Sequence, residues 1–443
     1  MKLINKIKHS DGRREIYFLG VKVFSYQQNN RKYEIAGMSI DDIKLWQTRY
    51  KEKEVLLKNK YKNNETIKIA FLVGMSSMFC AKPLMKQLIK NKKFKVSILV
   101  VPDFRFGKER AKAIMSDTLK ELSNWKDYLI VSDVDEANDK INLSDIADIC
   151  FLPVPYDFSH YKYTVLNIIS QGVLPCMVNY GFFRSKFDRE NLVASKIYSL
   201  YWKVFVETKY NLDEFLNYSL IKGDNAVLTG YCKMDDYKPS CEKNSKKTIL
   251  IAPHHSVVGG FNDVLALSNF EAYAELFMKL PDLYPNIDFI FRPHPALFSV
   301  LARDNFWGVK KVDEYISKMK NKTNVIYSTG GDYFEEFAKS DAIIQDCGSY
   351  LVEYFYTKKP QCYLLKTPED IDDKFVELGK KCLDCCYIAY NEQQILDFIN
   401  EVVIDERDVK AKQREDFAAE VMLNYPSASS KVVEYFDKLF SED

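Results

Sequence analysis

The feature that most constrains the fold is an alternation. From Ile67 to Leu365, short apolar runs end in loops and are separated by stretches with helical spacing. Ile67–Gly74, Lys95–Pro102, Tyr128–Val131, Ile149–Pro153, Leu174–Gly181, Trp202–Glu207 and Ala226–Gly230 read as strands, with helices at Pro83–Lys90 and Lys108–Leu122. Continuous apolar strands alternating with helices imply parallel βαβ units whose sheets are covered on both faces. Residues 238–247 then break the pattern with a polar, charged, proline-containing stretch that reads as a linker. The alternation restarts with strands at Thr248–Ala252, Ile287–Arg292, Asn324–Tyr327, Ala342–Asp346 and Gln361–Leu365. Helices are expected at Phe270–Leu280, Val312–Lys320, Tyr333–Lys339, Tyr350–Tyr356 and, as one segment, Val409–Ser441.

A chain of 443 residues with 47% hydrophobic content suits two large cores. The expected architecture is α/β and GT-B-like, with two doubly wound Rossmann-like domains facing a cleft. The expected divisions are a small N-terminal appendage (1–65), a first domain (66–237), a second domain (238–408) and a C-terminal helix (409–443) returning to the first. Alternation alone also allows two unrelated Rossmann-like domains. The net charge of +1 supplies no field that would call for nucleic acid. Of ten cysteines, only Cys382, Cys385 and Cys386 cluster, without a second cluster or a following histidine, and they read as buried thiols. Met1–Arg14 lacks an apolar signal segment, and no run reaches the ~18 apolar residues of a membrane span. The chain reads as cytoplasmic and reduced. Lys2, Lys6, Lys8, Arg13 and Arg14 suit either peripheral contact with an anionic inner membrane face or a solvated basic tail.

The chain has five histidines, and three follow apolar runs directly. His254 and His255 stand behind Ile249–Pro253, and His294 lies in Arg292-Pro293-His294-Pro295. Proline stiffens each turn. A third loop, Ser340–Tyr350, carries Asp346, Gly348 and Ser349, with Glu353 one helical turn further on. In a doubly wound domain all three loops lie at the carboxyl ends of strands, where such sheets bind ligands. Together they offer a phosphate-binding inventory. Arg292 suits bidentate contact. His294, with His254 or His255, supplies hydrogen bonds or a proton. Ser256, Asp346, Gly348 and Ser349 complete the wall, and Glu353 suits ribose hydroxyls. Each item also has a structural reading, such as a turn cap, an ion pair or a helix N-cap.

The G-x-x-x-x-G-K-[ST] and G-x-G-x-x-G motifs are absent. Asp133-Val134-Asp135 sits among other acids and reads as a solvated loop, so neither a metal nor a cofactor is implied.

Ala252-Pro253-His254-His255-Ser256, Arg292-Pro293-His294-Pro295, Asp341–Ser349, Glu353 and Lys359-Pro360 resemble the CDP-glycerol glycerophosphotransferase family in order and spacing. The resemblance covers roughly 248–365. It implies a GT-B fold and a CDP-linked donor such as CDP-glycerol, held by the second domain through Arg292, His294, Gly348 and Ser349. It further implies transfer of glycerol phosphate or a related phospho-polyol to a hydroxyl of a surface glycan or lipid-linked precursor, with release of CMP. Many family members carry a His-Gly-Thr segment in the first domain, whose histidine is a candidate base. Here the comparable strand end is Asn179-Tyr180-Gly181-Phe182-Phe183, without histidine. The remaining candidates are Asp157 and His160. Two rivals stay open: a GT-B glycosyltransferase using a nucleotide sugar, and a non-catalytic nucleotide-binding partner in polysaccharide assembly.

Overall fold

The computed structural model describes residues 4–8, 13–18, 21–27, 37–240, 245–259 and 265–442, the strands before residue 37 by their backbone alone. Those strands, β1 (Ile4–Lys8), β2 (Arg13–Phe18) and β3 (Val21–Gln27), form an antiparallel meander. The lysines and arginines proposed to meet a membrane lie outside the described side chains. Among the described residues, no helix is long and apolar enough to cross a membrane.

Two parallel sheets follow. The first contains β4 (Ile67–Val73), β5 (Phe94–Val100), β6 (Leu129–Val131), β7 (Ile149–Leu152), β8 (Leu174–Val178), β9 (Lys203–Val206) and β10 (Ala226–Leu228), in the order β10-β9-β8-β7-β4-β5-β6. The second contains β11 (Lys247–Ala252), β12 (Ile287–Phe291), β13 (Val325–Tyr327), β14 (Ala342–Gln345), β15 (Gln361–Leu364) and β16 (Tyr387–Ala389), in the order β13-β12-β11-β14-β15-β16. This is a GT-B-like pair of Rossmann-type domains. In each sheet the strand order reverses direction beside the first strand, which makes the crevice outside the carboxyl ends of β4 and β11 the natural ligand edge.

Helix α1 (Ile40–Lys62) starts in a Ser39/Asp42 capping box and packs on the first domain. The Tyr50 hydroxyl donates to the Leu200 carbonyl at 2.6 Å, and Lys60 bonds Asp148 at 2.9 Å. The expected single C-terminal helix is two helices, α2 (Ala411–Val421) and α3 (Ala428–Ser441). Between them Pro426 has no N–H to continue a helix. The turn crosses Gly230, whose φ is +95°; a Cβ there would sit 2.2 Å from the Leu423 carbonyl oxygen. Phe417 of α2 packs on Phe355 of the second domain, while Phe436 of α3 stacks on Trp202 of the first. The nine described cysteines are buried and unpaired with one another.

Candidate phosphate-binding site

β11 lies between β12 and β14, and all three run parallel. Parallel pairing brings their carboxyl ends to one edge, so His254, His294 and Asp346 become neighbours although far apart in sequence. The His294 N–H donates to the Pro253 carbonyl at 2.9 Å, tying the two proline turns together. Asp346 ties in the third. Its Oδ1 accepts from the His254 N–H at 2.6 Å and its Oδ2 from the Asn269 N–H at 2.5 Å. Burial lifts its carboxyl to about 7 against those two hydrogen bonds.

The three imidazoles form one cluster. Ring centroids are 4.3 Å apart for His254–His255, 5.3 Å for His254–His294 and 4.0 Å for the stacked His255–His294 pair. Burial, followed by mutual repulsion, pushes His254 well below the usual histidine range and His294 down to about 3; burial also lowers His255. All three are therefore neutral at physiological pH.

The surrounding hydrogen bonds set the tautomers of two rings. His294 Nδ1 accepts from the Ala296 N–H at 3.1 Å. His254 Nδ1 accepts from the Ser256 N–H at 3.2 Å and lies 2.7 Å from Ser256 Oγ. Because Nδ1 is thereby an acceptor, the Ser256 hydroxyl, which itself accepts from the Leu267 N–H at 3.1 Å, gives its proton to His254. With Nδ1 an acceptor, each neutral ring carries its proton on Nε2. The site therefore holds two preset Nε2–H donors.

The histidine nitrogens also lie within 4.8 Å of one another, a spacing that could admit a metal ion. Ligation through Nε2 would move both protons to Nδ1, against the N–H groups of Ala296 and Ser256. This donor set fits an anion better than a cation.

Several expected site residues have other tasks. Arg292 is only 6% exposed, and its guanidinium is fully engaged by protein. Nε donates to the Tyr350 hydroxyl at 3.1 Å, Nη1 to Ser328 at 2.8 Å and Glu336 at 2.7 Å, and Nη2 to the Gly330 and Gly331 carbonyls at 2.7 and 2.8 Å. An arginine has five N–H donors, so none is left for a phosphate. Glu353 is fully buried and holds the domains together. It accepts from the Tyr231 hydroxyl at 2.8 Å, from Lys233 at 3.3 Å and from the Tyr333 hydroxyl, which occupies both oxygens and displaces the expected ribose contact. Ser256 and Asp346 position His254 instead of facing the crevice.

Gly348 and Ser349 open a six-residue helix (Gly348–Glu353), with Gly348 buried and Ser349 Oγ 3.5 Å from where a Cβ on Gly181 of the first domain would lie. Asp157 is exposed on the loop after β7, and His160 is buried beneath that loop. His160 Nε2 lies 2.7 Å from the Asp133 carbonyl oxygen, and its ring packs on Phe104 and Tyr163. His160 is thus part of the loop's packing and not of the imidazole cluster. In the acidic loop, Asp133 and Asp135 are exposed, but the side chain of Asp139 is buried and bonds Ser132, Tyr163 and Lys162.

Two groups at the first domain's edge escaped the sequence. Arg184, after β8, reaches the second domain and rests on Gly348: a Cβ at 348 would lie 1.9 Å from its Nη2. Glu207, after β9, is buried with Oε1 bonded to Asn179 at 2.8 Å and Oε2 without a hydrogen-bond partner; burial raises it to about 8. The Ser185-x-x-Asp188 capping box was a legible signal that the segment after Phe183 turns into a helix. Neither charge had a motif.

No protein-family profile matches the chain, and no curated protein matches it significantly. Solved structures share its fold. The S. aureus MnaA–UDP complex is 17% identical with a TM-score of 0.54, covering 85% of this chain and 99% of that one. UDP-GlcNAc 2-epimerase from Neisseria meningitidis bound to UDP-GlcNAc is 14% identical with a TM-score of 0.52, covering 84% and 100%. A variant of the wall teichoic acid polymerase TagF is 12% identical with a TM-score of 0.53, covering 88% and 93%. At these identities the likeness establishes the two-domain GT-B-like fold, which this chain shares with nucleotide-sugar epimerases and a teichoic acid polymerase.

Proposed function

We propose that this chain transfers glycerol phosphate, or a related phospho-polyol, from a CDP-linked donor to a hydroxyl of a glycan or lipid-linked glycan. The observation that carries this reading is the pair of fixed Nε2–H donors on His254 and His294 at the carboxyl edge of the second sheet. Neutral imidazoles held in this tautomer stabilise developing negative charge without first giving up a solvation shell.

In the proposed reaction the acceptor oxygen forms a bond to the β-phosphorus. The bond from that phosphorus to the bridging oxygen breaks, CMP leaves with the electron pair, and the acceptor's hydroxyl proton is released to solvent. A loose phosphoryl-transfer transition state places much of the charge on the leaving oxygen. Hydrogen bonds from His254 and His294 to the departing phosphate then lower the barrier. Ser349, whose Oγ faces Gly181 of the first domain, supplies a hydroxyl.

The test is CMP release from CDP-glycerol by the full chain, assayed with lipid-linked glycan acceptors. Release is expected to fall at least a hundredfold in H294Q. Absence of CMP release with every acceptor would sink the proposal. The UDP and UDP-GlcNAc named with two of the fold relatives favour a second reading, a nucleotide-sugar enzyme. Thermal stabilisation by UDP, but not by CDP or CMP, would favour that reading instead.

A further inference from the structure

We propose that Arg184, delivered across the cleft by the first domain, is the guanidinium that grips the donor's phosphates, in the place Arg292 cannot fill. This rests on the phosphate-binding reading above and names a residue of that same site.

Three observations converge on Arg184. Its Nη1 is spent, on Asp188 at 2.6 Å and the Phe182 carbonyl at 3.4 Å. Its Nε is buried without a hydrogen-bond partner, and its Nη2 makes no hydrogen bond among the described residues. Nε and Nη2 form one edge of the planar guanidinium, the edge that meets an oxyanion with two parallel hydrogen bonds. A buried N–H left without a partner costs free energy, and here Nε is left so beside an Nη2 that makes no hydrogen bond among the described residues. The side chain as a whole is 13% exposed, although Nε itself is buried.

The second observation is placement. The guanidinium lies on Gly348 so closely that a Cβ there would be 1.9 Å from Nη2, 2.7 Å from Cζ and 2.8 Å from Nε. Glycine at 348 is therefore required to admit the arginine. The positive charge also acts on His254, disfavouring its protonated form after burial and the other two histidines. Arg184 thus lies close enough to His254 to act on it electrostatically.

The third observation is anchoring. The Arg184 carbonyl accepts from the Val376 N–H of the second domain at 3.0 Å, and Ser185 bridges to Phe375. A Cβ on Gly379 would lie 2.3 Å from that carbonyl oxygen. Asp188 holds the other side, accepting from the backbone N–H groups of Arg184 and Ser185 at 3.1 and 2.9 Å. The arginine is held by its backbone and by Nη1, which leaves the Nε–Nη2 edge for a ligand.

The experiment titrates the full chain with inorganic pyrophosphate, CDP and cytidine by calorimetry, and follows arginine Nε–H signals in ¹⁵N-arginine-labelled protein. In the wild type, one Nε–H signal, identified by its loss in R184K, shifts with pyrophosphate and CDP but not with cytidine. R184K keeps the charge but loses the fork, and weakens pyrophosphate binding about tenfold to a hundredfold. G348A, which keeps the arginine but displaces it, produces a comparable loss with an unfolding midpoint near wild type. Wild-type pyrophosphate affinity in both variants, or no shift of the Arg184 signal, overturns the assignment. If H294Q still weakens pyrophosphate binding in that case, the phosphate-binding reading stands without Arg184. If the wild type binds neither pyrophosphate nor CDP, both fall.

Discussion

The two strand-end edges that face each other across the cleft are built on opposite plans. On the second domain the buried charged groups of the edge are committed to protein: Asp346 to two backbone N–H groups, Arg292 to a loop and a helix, Glu353 to Tyr231, Lys233 and Tyr333. The groups set toward a ligand there are the imidazole N–H donors, oriented by Ser256 and the Ala296 N–H, and the Ser349 hydroxyl. On the first domain, Arg184 keeps one guanidinium edge unbonded and Glu207 keeps one oxygen unbonded. One edge is a prepaid scaffold and the other keeps polar groups that lack a partner. Rigid preorganisation and reactive polarity are thus divided between domains, and only their apposition makes a site.

The sharpest way to break this comparison is to remove Arg292. R292A leaves Glu336 and two glycine carbonyls without their partner, and is expected to cost about 3–5 kcal/mol in urea unfolding. R184A is expected to cost clearly less stability while abolishing measurable pyrophosphate binding. Equal stability losses in the two variants would erase the distinction between scaffold and charge.

Glu207 offers the next largest effect. Its folded-state value of about 8 lies above the ordinary glutamate value of about 4.5, so the folded protein binds the extra proton between them. Stability is then highest relative to a neutral isostere below pH 4.5, declines as pH rises toward 8, and levels off above it. E207Q should therefore exceed the wild type by on the order of 2 kcal/mol at pH 9 and match it near pH 4. A constant difference across that range would show that Glu207 titrates normally.

The histidines run the other way. His294 is held down to about 3 against an ordinary value near 6.5, so the unfolded chain takes up its proton first as pH falls. The wild type loses stability from pH 6.5 downward, and H294Q should flatten that limb, as read by thermal unfolding between pH 7 and 4. The smallest effect is expected at His160. H160Q replaces a ring bonded to the Asp133 carbonyl and should lower the unfolding midpoint without moving pyrophosphate affinity.

Much of the fold was legible before any coordinate. Apolar strands such as Ile67–Val73 and Ile249–Ala252 advertise burial on both faces, and helix-spaced segments between them force parallel crossovers. The break in the C-terminal helix was less visible. Pro426 warned of it, but the accommodating Gly230 lies almost two hundred residues earlier in the chain. In the site, Pro253-His254-His255 and Pro293-His294 were readable because a stiff turn behind a buried strand has few places to point. Arg292 was misjudged from the same segment, because an arginine beside a histidine carries no mark of which way its guanidinium turns.

By itself, the sequence determined two parallel α/β domains and put three histidines at the carboxyl edge of one of them. Strand periodicity and proline stereochemistry act over a few residues, and so they survive reading in one dimension. Only the tertiary structure decided which charges are spent and which are free. A guanidinium or carboxylate chooses among partners brought close by other strands and by the opposing domain. That choice gave Arg292 to Glu336, gave Glu353 to the domain contact, and left an edge of Arg184 against Gly348.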